Sequence, residues 1–134
     1  MLTSSSSPTQ STFTHESFDS LNFKEGTAFA IQQTLTYGAT INWDTRYGQL
    51  AVVTLTGATA TVAAPTNMIS GAFYNIEIRQ DGNGSRVLVW NSIFKFANNT
   101  APTLTPTASY KDFITFKFDG TNLCEQGRSQ GIAP

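Results

Sequence analysis

Residues 74–90 read YNIEIRQDGNGSRVLVW, and this stretch decides how the fold is interpreted. Tyr74, Ile76 and Ile78 alternate with polar residues, so one side of the segment faces a core and the other faces solvent. The turn at 81–84, Asp-Gly-Asn-Gly, supplies the positive backbone φ angles that tight hairpin turns need. The sequence therefore predicts two strands that pair across this turn as a β-hairpin.

The turn residues have roles that elementary chemistry suggests. Gly82 and Gly84 permit the turn, and alanine at either position is expected to lower stability. The Asp81 carboxylate can accept hydrogen bonds from the amides of its own turn. Arg86 can pair with Asp81 or with a neighbouring subunit. Together with Asn83, these are the candidate structural-turn residues.

Short runs of the same kind continue on both sides of this stretch. They are rich in β-branched and aromatic residues, which strands prefer, and they end at Gly, Pro or Asn. The predicted strands are 27–36, 40–44, 50–55, 59–63, 73–80, 85–90, 93–96, 113–118 and 122–126. No window keeps the spacing of an amphipathic helix. We therefore expect an all-β protein, an antiparallel β-sandwich or a jelly-roll-like single domain.

Composition divides the chain into an arm, a domain and a tail. Residues 1–23 begin with a run of Ser, Thr, Gln and Pro that cannot form a core by itself. The arm then acquires spaced apolar residues, which are the candidate anchoring side chains: Phe13, Phe18, Leu21 and Phe23. We expect this extended arm to dock onto partner subunits. Residues 24–127 form the predicted β-sandwich domain, and residues 128–134 form a polar C-terminal tail.

The balance of charge narrows the range of partners. Only 13% of the 134 residues are charged, whereas 40% are hydrophobic. A surface so poor in charge suits packing against other copies, although a neutral extracellular β-protein fits equally. The eight basic residues are scattered, and the net charge is −1, which argues against a nucleic-acid partner. Neither a membrane span nor a signal peptide is recognisable, so we expect no membrane partner and synthesis in a cytoplasm.

Residues that could carry catalysis or bind a metal are sparse. The single histidine, His15, lies in the arm, and the single cysteine, Cys124, excludes an internal disulfide and a cysteine zinc site. The acidic residues are scattered, so no catalytic set stands out. Oxygen side chains at alternate positions from Asp81 follow the start of a calcium loop, but Arg86 stands where that loop needs Gly. We expect neither an enzyme nor a cofactor.

Aromatic residues suggest a second candidate site. In residues 43–47, Trp-Asp-Thr-Arg-Tyr, polar side chains separate two aromatic rings, and such rings can stack on sugars. Trp43 and Tyr47 are therefore the candidate glycan-contacting residues. The alternative places Trp43 in the core, with Tyr47 half-buried.

Several motifs follow one another between residues 50 and 122. They are a Thr-rich strand pair, QDGNGSR at 80–86, Trp90, PTLT at 102–105, DFI at 112–114 and FDGT at 118–121. In this order they resemble a β-sandwich module of tailed-bacteriophage structural proteins, which occurs at tail-fibre ends and in head-surface proteins. One departure is Phe96, where the resembling proteins often carry Trp.

The resemblance implies a virion component that is commonly a homotrimer. Small size favours a capsid decoration, cement or head-fibre protein, docked to the major capsid protein through the arm. The alternative is a tail-fibre tip or lectin-like adhesin, attached to a tail protein and binding host-surface glycan. Either protein would be made in the host cytoplasm and end on the virion surface.

Overall fold

The structure, a computed structural model, describes residues 31–134. The predicted arm, with its four candidate anchoring side chains, lies outside the described residues. Within these described residues there are nine strands: β1 (Gln32–Thr34), β2 (Thr40–Ile41), β3 (Leu50–Leu55), β4 (Thr59–Val62), β5 (Phe73–Gln80), β6 (Val87–Trp90), β7 (Phe94–Lys95), β8 (Lys111–Phe118) and β9 (Leu123–Ile132). Single 3₁₀ turns occur at Thr45–Tyr47 and Ala97–Asn99, and residues 31–134 contain no α-helix. The prediction of an all-β fold is confirmed.

The strands form two sheets. One sheet has the order β1-β3-β5-β8-β9-β7, and the other has the order β2-β4-β6. β1, β3 and β5 run parallel to one another, and so do β2, β4 and β6. Because β1 to β6 alternate between the sheets, this part of the chain winds as a short solenoid-like stack in which each coil adds one strand to each sheet.

This arrangement corrects the predicted antiparallel sandwich or jelly roll. β5 and β6, predicted to pair as a hairpin, lie in different sheets and pair in parallel with β3 and β4. The turn at 81–84 therefore redirects the chain from one sheet to the other. Within the described sheets, antiparallel pairing involves only β8, which lies between β5 and β9. Alternation identifies the buried face of a strand but not its neighbour, which explains the error.

Apolar residues stack in register from coil to coil. Ile76 of β5 lies between Ala51 of β3 and Ile114 of β8. In the second sheet, Val62 pairs with both Ile41 and Trp90. Adjacent strands lie about 4.8 Å apart, so each buried side chain packs on its counterpart in the next coil.

Aromatic rings close the core beyond β6. Trp90 meets Phe94 at 5.0 Å between ring centroids and Phe96 at 5.3 Å, both edge to face. Phe94 meets the fully buried Phe116 at 5.1 Å. Edge-to-face pairs contribute roughly 0.5–1.5 kcal/mol beyond their buried area. Phe96, the departure from the resembling phage module, is partly buried and packs against the core.

β9 extends further than the sequence predicts. It continues to Ile132, so residues 128–132 belong to a strand and not to the predicted tail. β9 pairs with β8, as in the partners Phe113 and Ser129, and most of its side chains after Gln126 are exposed. A strand held by its backbone ladder can carry polar side chains, and for this reason its composition indicated a tail.

The two turn glycines, Gly82 and Gly84, differ in the space that the structure leaves for a side chain. Gly84 has a φ of +70°, and a Cβ there would lie 2.8 Å from the Ala108 amide nitrogen. A Cβ on Gly82 would meet no atom within 4 Å. Gly84→Ala should therefore lower the free energy of unfolding by about 2–4 kcal/mol, from backbone strain and overpacking.

Chemical denaturation measures this difference. Gly82→Ala is the matched control and should stay within about 0.5 kcal/mol of the parent chain. Equal losses in the two variants would contradict the close packing of Gly84, and they would instead support the expectation drawn from the sequence.

Candidate functional site

Two of the sequence motifs, QDGNGSR at 80–86 and PTLT at 102–105, meet with Asp112 of a third at one place, formed by residues 80–86 and 102–112, which we call the motif junction. Three backbone hydrogen bonds join its two segments. The amide of Gln80 donates to the Tyr110 carbonyl at 2.9 Å, and the amide of Ser85 donates to the Pro106 carbonyl at 2.8 Å. In the reverse direction, the Ser109 amide donates to the Asp81 carbonyl at 2.9 Å. The turn after β5 is thereby fixed to the loop before β8.

The predicted turn residues organise the first segment of the motif junction. Asp81 Oδ1 accepts from the amides of Asn83 and Gly84, both at 3.0 Å. Asp81 Oδ2 accepts from Arg86 Nη2 at 2.8 Å, so the ion pair lies within the chain. The Gln80 side chain clasps Arg86, with Oε1 accepting from its amide at 2.9 Å and Nε2 donating to its carbonyl at 3.1 Å.

Asp112 organises the second segment. Its side chain is almost fully buried, although it carries a carboxylate. Thr105 donates to it twice, from the amide and from the hydroxyl, each at 2.7 Å. From β9, the Gly131 amide donates at 2.9 Å and Gln130 Nε2 at 3.2 Å. Four donors compensate the burial of this carboxylate and tie the 102–106 loop to β9.

The electrostatics of the motif junction favour structure over chemistry. Hydrogen bonds from Arg86, and then from the amides of Gly84 and Asn83, lower the pKa of Asp81 to about 2. The same contact with Asp81 raises the pKa of Arg86. The Arg86 and Asp81 side chains are only 19% and 15% exposed. A carboxylate held this firmly as an ion is poorly suited to proton transfer near neutral pH.

Between residues 31 and 134, no group of three or more His, Cys, Asp or Glu side chains gathers as a metal ion would require. In the same range, no helix is long and apolar enough to cross a membrane.

The two predicted glycan-contacting residues, Trp43 and Tyr47, differ in their exposure to solvent. Trp43 is 1% exposed, packs edge to face on Tyr74 at 5.9 Å, and donates from Nε1 to the Gly48 carbonyl at 3.1 Å. It is therefore a core residue and cannot stack on a sugar. Tyr47 is 69% exposed at the end of its 3₁₀ turn. Only the second of the two predicted side chains is accessible.

Tyr47 lies in a shallow polar and apolar depression of about 460 Å³, which we call the Tyr47 surface; its lining includes Ile31, Arg46, Tyr47, Asn67 and Ile69. The Arg46 guanidinium lies 5.8 Å from the Tyr47 ring centroid. Asp44 holds both polar neighbours, accepting from Arg46 Nη2 at 2.7 Å and from Asn67 Nδ2 at 2.9 Å. The hydrogen bond from Arg46, and to a lesser degree the one from Asn67, holds the pKa of Asp44 well below its usual range.

A further cleft lies beside β6, and sequence reasoning missed it. Its volume is about 320 Å³, and its lining includes Arg86, Leu88, Pro102, Leu104 and Pro106. It exists because β6 pairs with β4 alone and leaves its second edge toward the 102–106 loop. In the predicted hairpin, β5 would pair with one edge of β6 and cover it. The sequence therefore carried no signal for the cleft.

Comparison of the chain with protein-family models, with curated proteins and with solved structures finds no match.

The ion pair in the motif junction predicts a pH dependence. The pKa of Asp81 is lower in the folded state than its ordinary value near 3.9, so the ionised carboxylate stabilises the fold above about pH 4. That stabilisation is lost as the pH falls from about 4 toward 2. Asp81→Asn should therefore be less stable than the parent chain at pH 7, and the difference should shrink toward pH 2.

Urea unfolding at pH 7, 4 and 2.5 measures this difference. Asn83→Ser is the control, because it alters the same turn without changing an ionisable group, and its effect should not vary with pH. A deficit in Asp81→Asn that stays constant across the three pH values would show that the carboxylate is not held as an ion.

Proposed function

We propose that this chain is a non-enzymatic structural protein of a bacteriophage particle, and that it decorates or cements the capsid or forms part of a head fibre. One observation carries the proposal. The residues that resemble the phage module, among them Asp81, Gly84, Arg86 and Asp112, hold the chain's own turns and loops together at the motif junction. Residues of this kind are expected in a structural protein, because they maintain the shape of the fold without performing chemistry.

The outer face of the smaller sheet supports an assembling protein. Its outward side chains are Thr40, Thr59, Thr61, Val87 and Val89, all exposed and all uncharged. Val87 and Val89 keep 52% and 49% of their surface exposed, which is high for apolar side chains on a regular sheet. A flat face without charge can pack on another copy without the cost of burying ions. This property supports a homotrimer.

Attachment to the head is assigned to the arm. Residues 1–23 combine a polar run with spaced aromatic side chains, a composition suited to docking on another protein's surface. In this proposal Phe13 and Phe18 contact the major capsid protein, and the solenoid-like domain projects from the virion surface.

A second candidate function is favoured by the Tyr47 surface. An exposed ring beside a guanidinium and an amide provides the stacking and hydrogen-bonding groups that sugars require. In that case the chain is a tail-fibre tip or lectin-like adhesin that binds host-surface glycan, and its arm attaches to a tail protein.

The number and position of copies in purified virions test the first proposal. Quantitative mass spectrometry with immunogold labelling should find the chain in hundreds of copies over the head. Deleting residues 1–19, which removes Phe13 and Phe18, should abolish binding to capsids that lack this protein. The control Phe73→Ala removes an exposed aromatic side chain from the domain instead and should bind normally. A few copies at the tail, or none in the virion, would contradict the head assignment.

The adhesin function has its own test. If the Tyr47 surface binds glycan, Tyr47→Ala should lower binding to host-surface polysaccharide at least about tenfold, since an exposed ring supplies most of the stacking area. Because Tyr47 is exposed, its stability should stay within about 0.5 kcal/mol of the parent chain. Phe73→Ala is the control for a general loss of aromatic surface. Equal binding by all three proteins would exclude the Tyr47 surface as the glycan site.

A further inference from the structure

We propose that the free edge of β6 takes residues 21–23 of a second copy as an added strand, so that the copies are joined by exchange of their arms. The proposal concerns contact between copies in solution, and it does not depend on the virion assignment. It follows from unpaired backbone groups, from an apolar cleft beside them and from the sequence of the arm.

The backbone of β6 is paired on one side only. Val87 donates to the Ala58 carbonyl and Asn91 donates to the Val62 carbonyl, each at 3.0 Å. In a parallel ladder alternate residues face the same neighbour, so the amides and carbonyls of Leu88 and Trp90 point away from β4. Neither residue's backbone forms a hydrogen bond with any other residue of the described range 31–134. Leu88 is nevertheless buried, and buried backbone groups of this kind almost always have a partner.

The cleft beside β6, with a volume of about 320 Å³, separates the second edge of this strand from the 102–106 loop. The first sheet continues beyond β5 with three more strands, whereas the second sheet ends at β6. The 102–106 loop occupies the far side of the cleft, where Pro102 and Pro106 have no amide hydrogen to donate to β6. The loop therefore shields the edge without completing its ladder.

The indole of Trp90 supplies a second unsatisfied donor at this edge. Its Nε1 is buried and has no acceptor among the described residues. Buried indole N–H groups usually find a partner, so a group that reaches this edge from outside the described residues could accept from Nε1.

The arm matches the edge in pattern. Leu21, Asn22 and Phe23 follow an apolar, polar, apolar pattern. Residues 88–90 of β6 have the matching orientation, because Leu88 and Trp90 face inward and Val89 faces outward. When an extended arm is paired with β6, both of its apolar side chains can face the same side of the sheet as Leu88 and Trp90. Phe13 and Phe18 precede this segment in sequence and are left for the contact with the capsid.

The position of the arm favours a second copy as its acceptor. Ile31, the first described residue, precedes β1, which lies at the end of the stack opposite β6. When copies meet head to tail, the arm of one therefore begins beside the open edge of the next. The eight residues from 24 to 31 span up to about 27 Å when extended. Such a contact is heterologous, and it closes into a ring when three copies complete a rotation.

Amide exchange in the full chain, read by NMR, tests whether the edge is occupied. The amides of Leu88 and Trp90 should be protected, as the amide of Val89 is by β4. In a Leu21→Asp/Phe23→Asp variant they should exchange more than about tenfold faster, while the amide of Val89 stays protected. The control Phe13→Asp/Phe18→Asp should leave all three unchanged. Fast exchange of Leu88 and Trp90 in the parent chain, or equal rates in all proteins, would overturn the proposal.

Disulfide trapping then identifies the donor of the strand. In a full-length Cys124→Ser background, Asn22→Cys with Val89→Cys should form interchain bonds, visible as covalent oligomers on a non-reducing gel. The control pairs Asn22→Cys with Thr40→Cys, whose side chain lies in the same rank but on the far strand of the sheet. A disulfide within a single chain would overturn exchange between copies. Crosslinking no greater than in the control would overturn the pairing itself.

Discussion

Pairing between coils is the constraint on which the rest of this structure depends. All six residues of β3 pair in parallel with β5, from Leu50 opposite Asn75 to Leu55 opposite Gln80. That register places Ala51, Val53 and Leu55 on the same face as their counterparts in β5. A slip of one residue would turn every one of these side chains to the opposite face. The core, the turns and the loops are therefore all positioned by this ladder.

Polar interactions then fix the connections that the ladder leaves open. The four ion pairs in the part of the chain that the structure describes join residues close in sequence: Asp44 with Arg46, Glu77 with Arg79, Asp81 with Arg86, and Glu125 with Arg128. Such pairs shape turns and short segments and do not join distant strands. Asp112 is different, because it bridges a loop and β9 through four hydrogen bonds. Much of the small complement of charge is thus used within the fold, and the outer face of the smaller sheet carries no charged side chain on its strands.

The two sheets end differently, and this asymmetry relates the fold to the proposed assembly. β8, β9 and β7 extend the first sheet, whereas an irregular loop with two prolines stands where the second sheet would continue. Stacked coils always present two ends, and an unpaired end invites another strand. In this molecule Ile31, the first described residue, precedes β1 at one end of the stack, and β6 lies at the other end with one edge unpaired among the described strands. A chain built in this way can join copies without evolving a separate binding pocket.

Local features of this protein were determined by the sequence alone. The alternation of residues 50–55 and 73–80 predicted β3 and β5 to the residue, and Gly84 marked a turn that only glycine fits. Such features depend on neighbours along the chain. The tertiary structure decided which strands pair, and it replaced the predicted hairpin with a step between two parallel sheets. It also placed Trp43 in the core, left Tyr47 exposed and opened the edge of β6, because burial and pairing depend on residues that are distant in sequence.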